Sequence, residues 1–456
     1  MSHKKFCLAQ GSPPKIQDEL DSIVYPVLTL PAEITSHIFT QSLPIDATPS
    51  RYAAPLLLTQ VCRLWRTIAL ATPNLWQSIV VKELGPGDLE RLNDPAKLVE
   101  MWLQRSAGLP LSLFVHLLNE VLAQSIIDTC LVHHHRWSEV EVLSFVNIDA
   151  RDREFPVLRK VRLSHRDEPR HTIRILNAPA LREACITTVS NTQCDVQLPW
   201  AQLSHLRFST HGLLAACLPI LSHCSDLLVH LTHSSALIQP IPETMFDNPH
   251  LTLPTLESLD VTLLGPSIIP HLTLPRLQHL TVSGHIPSAI EPLRALFSRS
   301  FCSLQSLHLT VAHELLVDLF QLVPTVVTLA LQVYPPALPE VVQALSSTDI
   351  LPAMHTLAID VGRARDEYDS LIEVLRSRRG NDTLKVSTLN IRPHGRQHNR
   401  PPGMPADFSP LPVMTIARFR DLEKCGLKIR IEMDRNWRLS HNNPERRIVV
   451  LDTFEE

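Results

Sequence analysis

The sequence predicts an α/β fold in which three short N-terminal helices precede an irregular array of repeated strands and helices. Two patterns indicate this fold class. Apolar residues recur at helical spacing between residues 28 and 80, and from residue 137 onwards a short apolar pattern typical of buried strands returns at intervals mostly of about 21 to 32 residues. Hydrophobic residues make up 44% of the chain and charged residues 19%, so enough apolar surface is present to order most of it.

The composition argues against several classes of partner. The 456 residues carry a net charge of −4 and include no uninterrupted apolar stretch of about 20 residues, so we expect neither a nucleic-acid nor a membrane partner. The nine cysteines are scattered and form no CxxC pair, which favours free thiols in a reducing compartment. The first residues, MSHKKFCLAQGSPP, lack the apolar region of a signal peptide, so we expect an intracellular protein of the cytoplasm or nucleus.

The first predicted helix follows Thr29, which can act as its N-cap, and its opening turn tolerates Pro31. Ile34 and Ile38 then recur one helical turn apart, until Pro44 ends the helix. This spacing predicts a single apolar stripe.

The second and third predicted helices come after a proline-bearing loop. An apolar stripe at four-, four- and three-residue spacing predicts the second helix, at Leu57, Val61, Trp65 and Ile68. It should end before the Thr72-Pro73 step, and a last helical turn carries Leu75 and Trp76. A helical unit this small cannot bury two tryptophans and its leucines well by itself, which predicts that another polypeptide covers part of it. The alternative for Trp65 and Trp76 is that both are core residues of the helical unit itself.

These residues resemble the F-box motif over about fifty positions. The matching segments are LPAEITSHIF and, after a loop, LLLTQVCRLWRTIALATPNLWQSI. A lone LP-x-E is common by chance, whereas the ordered series with both tryptophans is specific. The wider wording, DELDSIVYPVLTLPAEI and WLQRSAGLPLSL, is similar to the large fungal (basidiomycete-type) family of F-box proteins.

The resemblance implies that the helices bind a Skp-family adaptor and, through it, a cullin. An interface of roughly 1,600 Å² with aromatic anchors would complete the helical core. The expected adaptor contacts are Leu30, Pro31, Ile34, Ile38, Phe39, Leu43, Pro44, Val61, Cys62 and Trp65.

The repeated pattern consists of an apolar residue, two variable ones, an apolar residue, one variable and another apolar residue. FPVLRKVRL, LPTLESLDV and LPRLQHLTV are clear instances, and helix-like intervals such as Asp366 to Arg379 lie between them. The pattern resembles leucine-rich repeats, which implies a curved parallel sheet with outer helices and variable residues on the concave side. The usual asparagine after the strand is replaced by Ser164, Ser209 or Ser283 or is missing, which predicts an irregular solenoid.

The predicted organisation has four parts. They are an N-terminal segment (1–27), the F-box (28–80), a helical linker with a first strand (81–136), and the leucine-rich-repeat-like solenoid (137–456) with an exposed loop near 392–412.

The sequence offers little support for catalysis or for bound metal. His133, His134 and His135 are adjacent, and neighbouring helical positions point about 100° apart, so the three cannot all face one ion. HELLVD, starting at His313, has Val317 where a zinc protease needs its second histidine. No phosphate-binding loop or nucleophile elbow is present, and we expect no enzyme activity, cofactor or metal.

The leading hypothesis is therefore a substrate-recognition subunit of an SCF-type cullin-RING ubiquitin ligase, with the solenoid binding an unknown protein substrate. One alternative is a protein-interaction scaffold that acts outside a full ligase. A remote alternative is a hydrolase with a dispersed site.

Overall fold

A computed structural model describes most of the chain, which divides into two compact units, Met1–Ser144 and Phe145–Glu456. The described residues are 29–44, 49, 52–82, 95–165, 172–188, 196–210, 217–224, 226–235, 250–263, 268–284, 290–311, 316–333, 338–361, 368–380, 384–391 and 413–433. The predicted N-terminal segment (1–27), the loop near 392–412 and His313 lie outside them.

The first unit combines short helices with three parallel strands. Its helices are α1 (Ala32–Gln41), α2 (Leu58–Val61), α3 (Arg63–Leu70), α4 (Pro95–Arg105) and α5 (Glu120–Leu131), with 3-10 turns at Pro73–Trp76 and His134–Arg136. Its strands are β1 (Ser78–Lys82), β2 (Leu111–His116) and β3 (Trp137–Val142), and β2 pairs with both neighbours.

The N-terminal helices differ from the prediction in two places. Thr29 is not a cap, because α1 begins at Ala32 and Pro31 occupies the N-cap position without a side-chain cap. The expected second helix is broken at Cys62, whose extended backbone (φ −153°, ψ 173°) separates α2 from α3. The thiol of Cys62 accepts a hydrogen bond from the backbone N–H of Trp65 at 3.4 Å, so it takes the place of an N-cap side chain for α3.

The second unit contains eleven strands that pair in parallel, in chain order. They are β5 (Lys160–His165), β7 (Glu183–Thr188), β9 (His205–Thr210), β10 (His230–Ser235), β12 (Ser258–Leu263), β14 (His279–Gly284), β15 (Ser306–Val311), β16 (Thr328–Val333), β17 (Thr356–Val361), β18 (Val386–Ile391) and β19 (Lys428–Met433).

Helices or short strands connect these eleven strands. The described helices are α6 (Cys217–His223), α7 (Ile290–Ser300), α8 (Leu316–Gln321), α9 (Leu338–Ser346), α10 (Tyr368–Gly380) and α11 (Val413–Lys424). The short strands form two small parallel ladders, β4 (Ile148–Asp149) with β6 (Ile173–Arg174) and β8 (Val196–Gln197), and β11 (Leu251–Thr252) with β13 (Leu272–Thr273).

The register of the large sheet is regular. The first residue of each of the eleven strands lies opposite the first residue of the next, as His205 lies opposite Glu183 on one side and His230 on the other. In the nine strands from β5 to β17, second and fourth residues such as Leu206 and Phe208 are buried, whereas first and third residues remain accessible. Residues at the same position of successive strands therefore form rows across the accessible side of the sheet.

The predicted architecture is wrong. The structure is α/β, with a large parallel sheet and eleven α-helices among the described residues, rather than a three-helix F-box followed by an irregular leucine-rich-repeat-like solenoid. Strand β1 begins at Ser78, inside the range assigned to helices. The prediction missed this strand because a short apolar run such as Ile79–Val81 does not by itself distinguish helix from strand. The register stays regular although serine replaces asparagine at Ser164, Ser209 and Ser283, because backbone hydrogen bonds between strands set it.

Arg378 of α10 caps the C-terminal end of α9 inside the second unit. Its guanidinium is fully buried and donates hydrogen bonds to the carbonyls of Leu345 (2.9 Å), Leu351 (3.2 Å), Ser347 (2.5 Å) and Ile350 (2.6 Å). These carbonyls belong to the segment where α9 ends, so one side chain satisfies backbone acceptors that the helix itself leaves open.

Candidate functional site

The N-terminal helices leave several large apolar side chains exposed. Ile34 (50% exposed) and Ile38 (46%) lie one turn apart on α1, and Val61 (54%) ends α2. We call the following residues the apolar set: Ile34, Ile38, Leu57, Val61, Leu64 and Leu70. Six exposed aliphatic side chains within 37 residues are more than scattered surface residues require, and such groups are typical of protein interfaces.

An aromatic pair fixes the helices that carry this set. Phe39 of α1 packs edge-on against Trp65 of α3, with ring centroids 4.9 Å apart and an interplanar angle of 63°. Phe39 is only 1% exposed, so α1 is held to α3 by a buried contact. The indole Nε1 of Trp65 is also buried and has no hydrogen-bond partner among the described residues.

The predicted adaptor contacts fall into three groups. Pro31, Ile34, Ile38, Pro44 and Val61 are exposed; Leu30, Leu43, Cys62 and Trp65 are half-buried; Phe39 is buried. Three exposed leucines of the apolar set, Leu57, Leu64 and Leu70, were not among the predicted contacts. Leu57 lies one turn before Val61, and this spacing could have indicated that the two share an accessible face.

Trp76 is buried by the chain itself. Its indole N–H donates to the Ala69 carbonyl at 3.0 Å, and its ring packs edge-on against Trp102 of α4 at 4.8 Å. The Arg105 guanidinium lies 4.5 Å from the centre of the same ring. The chain therefore covers Trp76 with its own helix α4 and leaves the apolar set uncovered.

The second unit has a shallow concavity on the accessible side of its sheet. Its volume is about 170 Å³, and side chains from β5, β7, β9 and β10 line it. The first row of the sheet contributes Lys160, Glu183, His205 and His230. Lys160 and Glu183 form an ion pair at 2.9 Å, and the rings of His205 and His230 stack with centroids 4.4 Å apart.

The third residues of the same strands form the second row of the concavity. These are Arg162, Cys185, Arg207 and Thr232. Asp260 follows Thr232 in this row, and its burial raises the pKa of its carboxyl, an effect that Arg207 and His308 oppose. Burial and the neighbouring His205 lower the pKa of His230, which favours the neutral imidazole beside its stacked partner.

His233 is an unusual residue on the opposite, buried side of β10. It is 1% exposed, lies opposite Phe208 and Val261, and neither ring nitrogen has a hydrogen-bond partner among the described residues. This desolvation lowers the pKa of its imidazole from 6.5 to about 4.

The histidines and buried cysteines of the described residues do not form a metal site or a reactive thiol site. No group of three or more histidine, cysteine or acidic side chains could hold an ion there. His134 donates from Nδ1 to the Leu131 carbonyl at 3.0 Å. Burial raises the pKa of the Cys130 and Cys224 thiols to about 12, which makes both poor nucleophiles at neutral pH.

No protein-family model matches the chain, and no curated protein matches it significantly. Within the described residues, no helix is both long and apolar enough to cross a bilayer.

Proposed function

We propose that the chain is a substrate-recognition subunit of an SCF-type cullin-RING ubiquitin ligase. Its N-terminal helices bind a Skp-family adaptor, which connects the chain to a cullin. The second unit binds the protein substrate, and other subunits carry out ubiquitin transfer, so the chain itself performs no catalytic step.

The apolar set is the single observation that carries this proposal. Ile34, Ile38 and Val61 lie within the segments that resemble the F-box, and they are exposed, whereas Phe39 and Trp76 of the same segments are buried. Burying apolar surface contributes about 25 cal/mol per Å², so a partner that covers these side chains gains free energy that the isolated chain forgoes.

The packing beneath the set supports docking without refolding. The Phe39–Trp65 contact ties α1 to α3, and the Cys62 thiol caps the first turn of α3. Helices held in this way lose little conformational entropy on binding, which favours affinity.

The test replaces two members of the apolar set by glutamate. Ile38→Glu combined with Val61→Glu places two charges where the adaptor would bury aliphatic side chains. Because interface anchors contribute about 2 kcal/mol or more each, we expect adaptor recovery in affinity purification to fall at least tenfold. Leu118→Glu combined with Val121→Glu is the matched control, because these side chains are 86% and 82% exposed in the same unit.

The outcomes separate the proposal from its alternatives. Loss of the adaptor with the first pair only, while circular dichroism stays unchanged, supports the proposal. Equal recovery with both pairs contradicts it. Recovery of a Skp adaptor without any cullin indicates a scaffold that acts outside a full ligase.

A further inference from the structure

Two arginines lie among the side chains of the apolar set. Arg63 and Arg66 are three residues apart on α3, and both are exposed. Residues three or four apart on a helix share a face, so Leu70, which is 40% exposed, lies on the same face one turn beyond Arg66. A partner that covers Leu70 therefore lies against this face of α3 and comes within reach of both guanidinium groups.

Neither arginine has an acidic partner in the described part of the chain. Arg66 donates from Nε to the Thr59 carbonyl at 2.6 Å, and its two terminal nitrogens have no acceptor among the described residues. The side chain of Arg63 forms no hydrogen bond or ion pair with any described residue. The first turn of α3 contains no acidic residue either, so the described residues leave both positive charges uncompensated.

This placement of charge costs the chain stability. Two like charges one helical turn apart repel each other. Positive charge in the first turn of a helix is also unfavourable, because the backbone N–H groups already make that end positive. Arg63 is the first residue of α3 and therefore carries both costs. A partner with negative charge opposite the two arginines would offset them.

We infer that the partner covering the apolar set is a protein that presents carboxylates to Arg63 and Arg66. The inference names the charge of the partner's surface and in that respect rests on the proposed function. Aliphatic contacts supply most of the affinity, whereas charges beside them speed up encounter and reject partners of like charge. Guanidinium groups suit this role because they donate paired hydrogen bonds to carboxylates.

The experiment measures the association of a purified fungal Skp-family adaptor with the full chain by biolayer interferometry, at low and at high salt. Arg63→Glu combined with Arg66→Glu is compared with Arg276→Glu combined with Arg420→Glu. The control pair makes the same change in net charge at two exposed arginines of the second unit. Arg63→Glu alone is a further variant, because it keeps the hydrogen bond from Arg66 to Thr59 and places an acidic side chain at the first residue of α3, which favours the helix.

We expect the association rate of the wild-type chain to fall about tenfold between about 50 mM and about 500 mM NaCl, because salt screens the attraction between exposed charges. At the lower salt concentration, the Arg63/Arg66 variant should associate about tenfold more slowly than wild type, and added salt should no longer slow it. The control pair should behave as wild type. Arg63→Glu alone should also slow association, while its thermal unfolding temperature stays at or above that of wild type, which separates recognition from loss of the fold.

An unchanged association rate of the Arg63/Arg66 variant overturns the inference and leaves the proposed ligase role standing, because the adaptor is still bound. Failure of the wild-type chain to bind the adaptor at either salt concentration overturns both. Vesicles that contain phosphatidylserine are tested in parallel. If vesicle binding needs Arg63 and Arg66 and adaptor binding does not, the two arginines serve a lipid surface and the inference is overturned.

Discussion

Replacing His233 by leucine should stabilise the second unit, and the gain should grow as the pH falls. The buried imidazole carries one donor and one acceptor that have no hydrogen-bond partner in the described part of the chain, which costs about 1 to 3 kcal/mol. Leucine has a similar size and matches the apolar neighbours Phe208 and Val261, so repacking should cost less than about 1.5 kcal/mol. We expect a net gain of about 1 kcal/mol at pH 7.5.

The pH dependence follows from the lowered pKa of His233. The unfolded chain binds a proton at this residue below about pH 6.5, whereas the folded chain does so only below about pH 4. The unfolded state therefore binds more protons between these values, and the free energy of unfolding decreases as the pH falls through them. The decrease should be about 2 kcal/mol between pH 7 and pH 5 and about 3 kcal/mol in full.

Urea unfolding at several pH values from 7.5 to 5, followed by circular dichroism, measures this difference between wild type and His233→Leu. Hydrogen exchange of peptides from β9, β10 and β12 localises it. His279→Leu, which removes an exposed histidine from β14, provides the reference for losing one imidazole. The reasoning is refuted if His233→Leu is less stable than wild type at pH 7.5. It is also refuted if the free energy of unfolding of wild type and that of His233→Leu decrease by the same amount between pH 7 and pH 5.

Two further predictions concern stability and thiol reactivity. Arg378→Leu should lower the free energy of unfolding, measured by urea titration, by about 3 kcal/mol or more, because buried carbonyls lose their donor. Arg376→Leu is the control at an exposed position of the same helix, and it should change the free energy of unfolding by less than about 1 kcal/mol. In the native protein, iodoacetamide should modify the exposed Cys425, while Cys130 and Cys224 should react only after unfolding. Mass spectrometry measures the rate of modification at each cysteine, and modification of Cys130 or Cys224 as fast as that of Cys425 would contradict their burial.

Local patterns predicted individual elements well. The repeated apolar pattern placed strands at β5, β12 and β14 because the inward side chains of a half-buried strand alternate along the sequence. The helix expected at Asp366 to Arg379 is α10, Tyr368–Gly380. The residues that form each of these patterns lie close together in the sequence, so the patterns can be recognised without knowledge of the tertiary fold.

The break at Cys62 and the cover on Trp76 could not be predicted in this way. The apolar spacing from Leu57 to Ile68 fits one continuous helix, and only the extended backbone of Cys62 divides it. Trp76 is buried by Trp102, which lies 26 positions later, and local periodicity does not report such a contact.

By itself, the sequence determined that the chain contains apolar strands and amphipathic helices, and two of its N-terminal segments resemble the F-box motif. Only the tertiary structure decided which of those apolar side chains remain uncovered and which charges come together. Arg162 and Arg207 are 45 residues apart, and parallel pairing through β7 puts them on one row of the sheet. Periodicity records which face of an element a residue occupies, whereas the neighbour that the face meets depends on how distant segments pack.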